Sequence, residues 1–373
     1  MIKRILYTLL IMFPVVASAQ INTDRVMAIG RNALYFEDYV LSIQYFNQVI
    51  NAKPYLSDPY FYRGLAKINL DDFQGAESDC SEAIERNPFV VSAYQVRGLA
   101  RIQQNNFAGA IEDYTKALEF DPENIGVWHN MALCRIRQED YKGAKNDLDK
   151  LIAISPRYTK AYLMRGEVDL KQKDTLAAEK DFGKAIEIDR YDADTWASRA
   201  ILRLQQQRYK DAEADFDHAI RLSTRNSGVY INRALARYHQ NNLRGAMSDY
   251  DIALDIDPNN FIGHYNRGLL RAQVGDDNRA IQDFNFVIEM EPDNMMAIFN
   301  RGLLLDQTGD YKGAIKDYST VINEYPNFLL GYQYRAQARR KIGDVKGADA
   351  DEFKVLKAQL DKQNGVRSEE HTS

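Results

Sequence analysis

From residue 23 onward, apolar and polar residues alternate in two kinds of stretch, each amphipathic at helical spacing. Residues 295–309, MMAIFNRGLLLDQTG, set apolar side chains three and four apart and stop at Gly309, which suits the left-handed turn after a helix. Asp310 follows and can cap a second stretch, YKGAIKDYSTVINEY, which ends before Pro326. The pattern predicts a helix, a tight turn and a second helix. The phrase FNRGLLLDQTGDYKGAIKDYS at 299–319 repeats, reworded, as YNRGLLRAQVGDDNRAIQDFN at 265–285 and INRALARYHQNNLRGAMSDYD at 231–251.

The period is 34 residues, with no insertion or deletion between 23 and 362. Ten repeats begin at residues 23, 57, 91, 125, 159, 193, 227, 261, 295 and 329, within an array spanning 20–362. Such a period makes each block bury its apolar face against its neighbours, so the length predicts one long array rather than several cores. Counting positions within a repeat, position 16 is Asp or Asn in nine of ten, from Asp38 to Asp344, the exception being Arg208. Position 8 is Gly or Ala throughout, and position 20 is Ala except at Ser42. Position 24 is mostly Phe or Tyr (Phe46, Tyr114, Phe182, Phe216, Tyr250, Phe284, Tyr318), the bulk that fills the space between close helices.

With aromatic residues at position 4 (Tyr60, Tyr94, Trp128, Tyr162, Trp196, Tyr230) and Pro at position 32 (Pro88, Pro122, Pro156, Pro258, Pro292), the pattern resembles the tetratricopeptide repeat. The resemblance covers about nine-tenths of the chain. It implies an all-α fold, antiparallel helix pairs stacked as a right-handed superhelical α-solenoid, whose first helices line a concave groove. Arg190 and Thr224 replace the Pro, and Val26 and Ile298 replace the aromatic. Glu352 at position 24 and Leu360 at position 32 give the tenth repeat the look of a polar cap.

Residues 1–19 stand apart. Lys3 and Arg4, an apolar run from Ile5 to Val16, and Ala17-Ser18-Ala19 have the three-part layout of a signal peptide cut before Gln20. The apolar run is too short to span a bilayer, so no membrane insertion is expected after cleavage. The expected destination is the periplasm or cell envelope of a Gram-negative bacterium, with secretion as the other route. At the far end, residues 363–373 form a tail. Its last seven, RSEEHTS, back-translate to a common sequencing-library adapter and read as a non-native scar, so the gene is expected to be able to continue past Val366. Cys80 and Cys134 fall in repeats 2 and 4, which a stack keeps apart, so they predict buried thiols and no disulfide. The formal charge is −5, and losing Lys3 and Arg4 with the leader takes it to −7, which disfavours nucleic acid.

Arg at position 7 occurs in eight repeats and Asp at position 23 in nine, and nine of ten repeats carry both or neither. That co-occurrence predicts a structural ion pair within each repeat, as Arg233 with Asp249, Arg267 with Asp283 and Arg301 with Asp317, of small energy at the surface and of larger energy where it is partly buried with a bidentate Arg. Position 6 holds the better candidate site: Asn130, Asn232, Asn266 and Asn300, the last three in consecutive repeats. Similar Asn residues form an inner ladder in the superhelical arm of O-GlcNAc-transferase-like proteins, which implies a hold on an extended peptide's backbone. An amide side chain both donates and accepts, as that task requires. Gln205, Gln273 and Gln307 at position 13 form a second amide row, and Phe61, Tyr265 and Phe299 at position 5 offer apolar lining. The carboxylate clamp of some tetratricopeptide proteins is missing, since position 9 is mainly Leu and position 5 has no Lys or Arg. The chain contains no phosphate loop, nucleophile elbow or H-E-x-x-H, so no catalytic residue, metal site or cofactor is expected. The expected function is a non-catalytic scaffold of the cell envelope, binding proteins or extended peptides. The alternative is the recognition arm of a larger enzyme or envelope machine, and the sequence leaves the oligomeric state open.

Overall fold

The computed structural model describes residues 22–222 and 225–363, and every described element is a helix. The leader, Thr224 and the adapter-like residues therefore lie outside the described residues. Each repeat gives one helix pair. The chain forms two compact units, divided after Lys184.

In the first unit the pairs are α1 (Thr23–Tyr35) and α2 (Tyr39–Ala52), α3 (Asp58–Ile68) and α4 (Phe73–Arg86), then α5 (Val91–Gln103) and α6 (Phe107–Phe120). They continue as α7 (Ile125–Arg137) and α8 (Tyr141–Ile154), then α9 (Thr159–Lys171) and most of α10 (Thr175–Ile188). The second unit holds α11 (Ala193–Gln205) and α12 (Tyr209–Arg221), then α13 (Ser227–His239) and α14 (Leu243–Ile256). After these come α15 (Phe261–Gln273) and α16 (Asp277–Met290), α17 (Met295–Thr308) and α18 (Tyr311–Glu324), and α19 (Leu329–Lys341) and α20 (Val345–Gln363). Within each unit a second helix packs on its own first helix and on the first helix of the following repeat, as α4 does between α3 and α5 and α16 between α15 and α17. First helices of neighbouring repeats also approach one another, as α3 and α5 do in the first unit and α15 and α17 in the second. Within each unit they therefore line the inner face of a stack of pairs.

The turn inside each pair has one fixed geometry. Position 15 takes positive φ in every repeat, at Gly275, Gly309 and Gly343, and at Glu37, Asp71, Asn105, Glu139, Lys173, Gln207 and Asn241. The sequence marks only the three glycines. Asp71, Asn105 and Asn241 tolerate this conformation, whereas Glu37, Glu139, Lys173 and Gln207 hold a strained backbone because the turn leaves no alternative. The next residue caps the second helix. Asp38, Asp72, Asn106, Asp140, Asp174, Asn242, Asp310 and Asp344 each accept from a backbone N–H three residues on. Asp276 makes no such bond and lies 3.5 Å from Arg279 instead.

Helix approach inside a pair is close. Position 20 is fully buried in all ten repeats, from Ser42 to Ala348. At position 8 a Cβ on Gly98 would come 2.8 Å from the Tyr114 ring, and one on Gly166 2.6 Å from Phe182. The position-24 ring occupies that space, so Gly at one site and a ring at the other are one packing solution.

The tenth repeat is not a polar cap. Glu352 is polar and bonds Arg340, but the same helix exposes Val345, Phe353, Leu356 and Leu360. The substitutions at positions 24 and 32 removed a core ring and a helix stop. The outward face of α20 became apolar and longer.

Candidate functional site

The Arg–Asp pattern is an interior node. In all eight repeats that carry both residues, the Arg guanidinium grips its own repeat's Asp through two nitrogens. Arg233 Nε donates to Asp249 Oδ2 at 2.9 Å and its second nitrogen to Oδ1 at 2.6 Å. The carboxylates are buried, Asp249 to 1% exposure, so these are the buried, bidentate form of the pair, stronger than one at the surface. A second cation comes from position 11, as when Arg237 donates to Asp249 Oδ2 at 2.9 Å. The remaining Arg nitrogen reaches back to position 25 of the preceding repeat: Arg63 to Asn47, Arg97 to Ser81, Arg233 to Asp217 and Arg267 to Asp251. Sequence reasoning missed this acceptor, although position 25 is polar or small from Asn47 to Ser319. The same Arg lies over the position-4 ring, 5.7 Å away at Tyr230 and 5.1 Å at Trp196. One residue thus ties two helices of its repeat to the repeat before it.

Electrostatics separates the nodes. Burial alone would lower the Arg233 pKa, but bonds to Asp249 and Asp217 leave it raised. At Asp113 burial outweighs Arg97 and Arg101, and Glu77 adds to it, so that carboxyl is held above its usual range. At Asp283 burial pushes the same way, but bonds from His264 and Arg267 overcome it and the pKa falls. Repeat 4 has Met131 in place of the Arg. Arg135 stands 2.8 Å from Asp147 but is out of line for a hydrogen bond, and burial pushes Asp147 up to about 6.

The amide rows lie elsewhere, on the inner face. Asn232, Asn266 and Asn300 are half-buried on α13, α15 and α17, and Asn130 is half-buried on α7. Asn300 Nδ2 donates to the Tyr265 hydroxyl at 3.1 Å, crossing from α17 to α15. Positions 5 and 6 of neighbouring first helices therefore share one surface. Lys341 crosses the same way to Asp306 at 2.9 Å, which puts positions 12 and 13 there too. Gln205, Gln273 and Gln307 are exposed at the last turns of α11, α15 and α17, forming a rim.

The aromatic candidates divide. Tyr265 is half-buried, with its ring edge-on to Phe284. Phe61 is half-buried against Ile50, Tyr60 and Ala83. Phe299 is 9% exposed and spends its ring on Tyr318, Phe328 and Tyr334, so it belongs chiefly to the core. The exposed apolar lining comes from position 2 instead: Ile262 at 51%, Met296 at 63% and Leu330 at 44%. Position 2 is charged or small in the first seven repeats and apolar in the last three, a legible signal that position-by-position reading for amides passed over.

Ile262 and Met296 help to frame two adjoining cavities, one between the starts of α15 and α17 and one between the start of α17 and the end of α18. One, of about 250 Å³, is lined by Phe261, Ile262, Tyr265, Asn294 and Met296. The other, of about 410 Å³, shares Asn294 and Met296 and adds Phe299, Tyr325 and Phe328. Asn294 is held by its capping bond to Ala297 N, which fixes the wall between them. Tyr265 joins the first cavity to the Asn row through its bond to Asn300. Apolar pockets thus adjoin amides that can pair with a backbone. None of the helices among the described residues is long and apolar enough to cross a membrane.

Stacked helix pairs with a polar and apolar inner face define a repeat protein of the interaction-module class. Models of the tetratricopeptide repeat match residues 125–158, 159–192, 198–261 and 265–327, and a TPR repeat model matches 98–134. Together they span more than half of the chain, which belongs to the tetratricopeptide repeat family. A solved tetratricopeptide repeat protein from Parabacteroides merdae is 21% identical, with a TM-score of 0.52, over 67% of this chain and 98% of that one. The pilF protein of Pseudomonas aeruginosa is 19% identical over 58% of this chain and 97% of its own, with a TM-score of 0.49. YrrB, described as a TPR protein with an unusual peptide-binding site, is 20% identical over 49% and 95%, with a TM-score of 0.41. At these identities the likeness is one of fold. No curated protein sequence matches the chain.

Proposed function

We propose that the protein is a scaffold of the cell envelope that holds extended peptide segments of other proteins, on the inner face of its second unit. The observation that carries this reading is the Asn232, Asn266 and Asn300 row, joined at Asn300 through its bond to Tyr265 to the first of the two apolar cavities that share Met296. An extended segment presents a C=O and an N–H at each residue, which amides at a fixed repeat spacing can meet whatever the side chains. Apolar side chains of the segment enter the cavities and set register and affinity. Export is supported by the leader-like residues 1–19.

The test is selection of a random phage-displayed peptide library on the chain without its leader, followed by fluorescence anisotropy with the selected peptide. Replacing Asn232, Asn266 and Asn300 together by Ala is expected to weaken binding about tenfold or more, given about 0.5–1.5 kcal/mol for each bond lost. Undiminished affinity in a folded triple variant removes the Asn row from the site.

A further inference from the structure

One joint between repeats is tied by a side chain that can change its charge. In several repeats the position-4 ring donates to the position-32 carbonyl of the repeat before it. Trp128 Nε1 donates to Pro122 O at 2.8 Å, the Tyr162 hydroxyl to Pro156 O at 3.1 Å and Trp196 Nε1 to Arg190 O at 3.0 Å. Indole and phenol keep that proton at neutral pH. Repeat 8 carries His264 at this position instead.

The His264 ring is 14% exposed and stacks on Phe286, with 4.1 Å between ring centroids. Its Nε2 lies 3.0 Å from Pro258 O, the same tether, and its Nδ1 lies 3.0 Å from Asp283 Oδ1. A carbonyl and a carboxylate can only accept, so both ring nitrogens must donate. Only the imidazolium has two N–H groups. A neutral ring would set a bare nitrogen against an acceptor's lone pairs. The charges around the ring are Asp283 on α16, Arg267 and Arg271 on α15, and Asp251 on α14, which accepts from Arg267. Asp257, next to Pro258, is bonded to Asn260. The bond to a carboxylate is the stronger of the two. On losing a proton the ring therefore keeps Nδ1–H on Asp283 and releases Pro258.

We infer that His264 is a pH-operated latch between repeats 7 and 8, closed by its imidazolium and opened as the ring loses a proton. Its stabilisation is present while the ring is charged and is lost as pH rises through the range, about pH 5–8, in which histidine titrates. Opening frees the turn 257–260 from the start of α15, beside Phe261, Ile262 and Tyr265, which line the first cavity. The latch thereby couples peptide affinity at that cavity to pH, with tighter binding in acid. The coupling rests on the peptide-binding function proposed above, and the latch does not.

The test is nitrogen NMR of the histidine-labelled chain without its leader, with thermal melts of the same protein and of His264→Trp. His264→Gln, also an uncharged donor, is the second variant should Trp not fit beside Phe286. The signals that vanish in the variant are expected to show two protonated ring nitrogens at about pH 5.5 and one, Nδ1, at about pH 8. Between those pH values the wild type should lose roughly 2–4 °C more in melting temperature than His264→Trp, whose indole keeps the tether throughout. A library-selected peptide without Asp, Glu or His should bind the wild type about threefold or more tightly at the lower pH, and the variant equally at both. A neutral ring at the lower pH, or melting temperatures that shift in parallel, overturns the latch. A ring that titrates as expected without changing peptide affinity overturns the coupling and leaves the peptide site standing. A peptide indifferent to Ile262→Asp with Met296→Asp removes that site and the coupling with it, while the NMR and melting results still decide the latch.

Discussion

At the scale of single residues, the least satisfied node is the most informative. Asp147 is buried beside Met131, where eight other repeats carry Arg, and its carboxyl is raised to about 6. A carboxyl raised in the folded state adds stability below its unfolded pKa of roughly 4, and that contribution is lost as pH rises through about 6. Above pH 6 the chain holds a buried, poorly bonded charge. The rest of the node is in place: Trp128 at position 4, Thr115 at position 25 of the preceding repeat, and Arg135. Met131→Arg should therefore stabilise the protein by about 1–3 kcal/mol at pH 7.5, with the gain shrinking towards pH 4. Thermal melts at both pH values check this, and an equal gain at both would show that packing, not charge, is responsible. The pairing of Arg with Asp was legible in the sequence because both vanish together from repeat 1. Burial and the acceptor at position 25 were not, since co-occurrence does not reveal depth.

At the scale of elements, the joints between repeats carry their own code. Position 21 of one repeat meets position 11 of the next, as Glu77 with Arg101 and Glu213 with Arg237, each at 2.8 Å. Between α8 and α9 the signs are exchanged, and Lys145 pairs with buried Asp169. A joint with reversed charge rejects the wrong neighbour as well as accepting the right one, which matters in an array of near-identical parts. Lys145→Glu should lower stability by about 2–4 kcal/mol, because it leaves Asp169 buried against a like charge. Adding Asp169→Arg should recover most of the loss and also reach Asp181, as position 11 does in seven other repeats. Thermal denaturation of the single and double variants decides, and a double variant no better than the single one would contradict the code. Helix pairs, caps and small positions follow from the 34-residue pattern alone. The left-handed turns at Glu139 or Lys173 do not, because no local preference of those residues favours them. The expected polar cap fails because Glu352 stands beside exposed Phe353, so one polar residue does not make the face polar.

At the scale of the whole molecule, the repeated charges build the scaffold, and the binding we propose falls to positions that vary from repeat to repeat. Repeats 8 and 9 pair an apolar position 2 with the two cavities, and repeats 7 to 9 carry consecutive Asn at position 6. The site we propose lies at their overlap, at the starts of α15 and α17. The most direct measurement is the dissociation constant of a library-selected peptide for the wild type and for Ile262→Asp with Met296→Asp. Both side chains are more than half exposed, so the substitutions should leave the melting temperature nearly unchanged. The account predicts at least a tenfold loss of affinity in the double variant. Equal affinity for both proteins would contradict it and place peptide binding on another face.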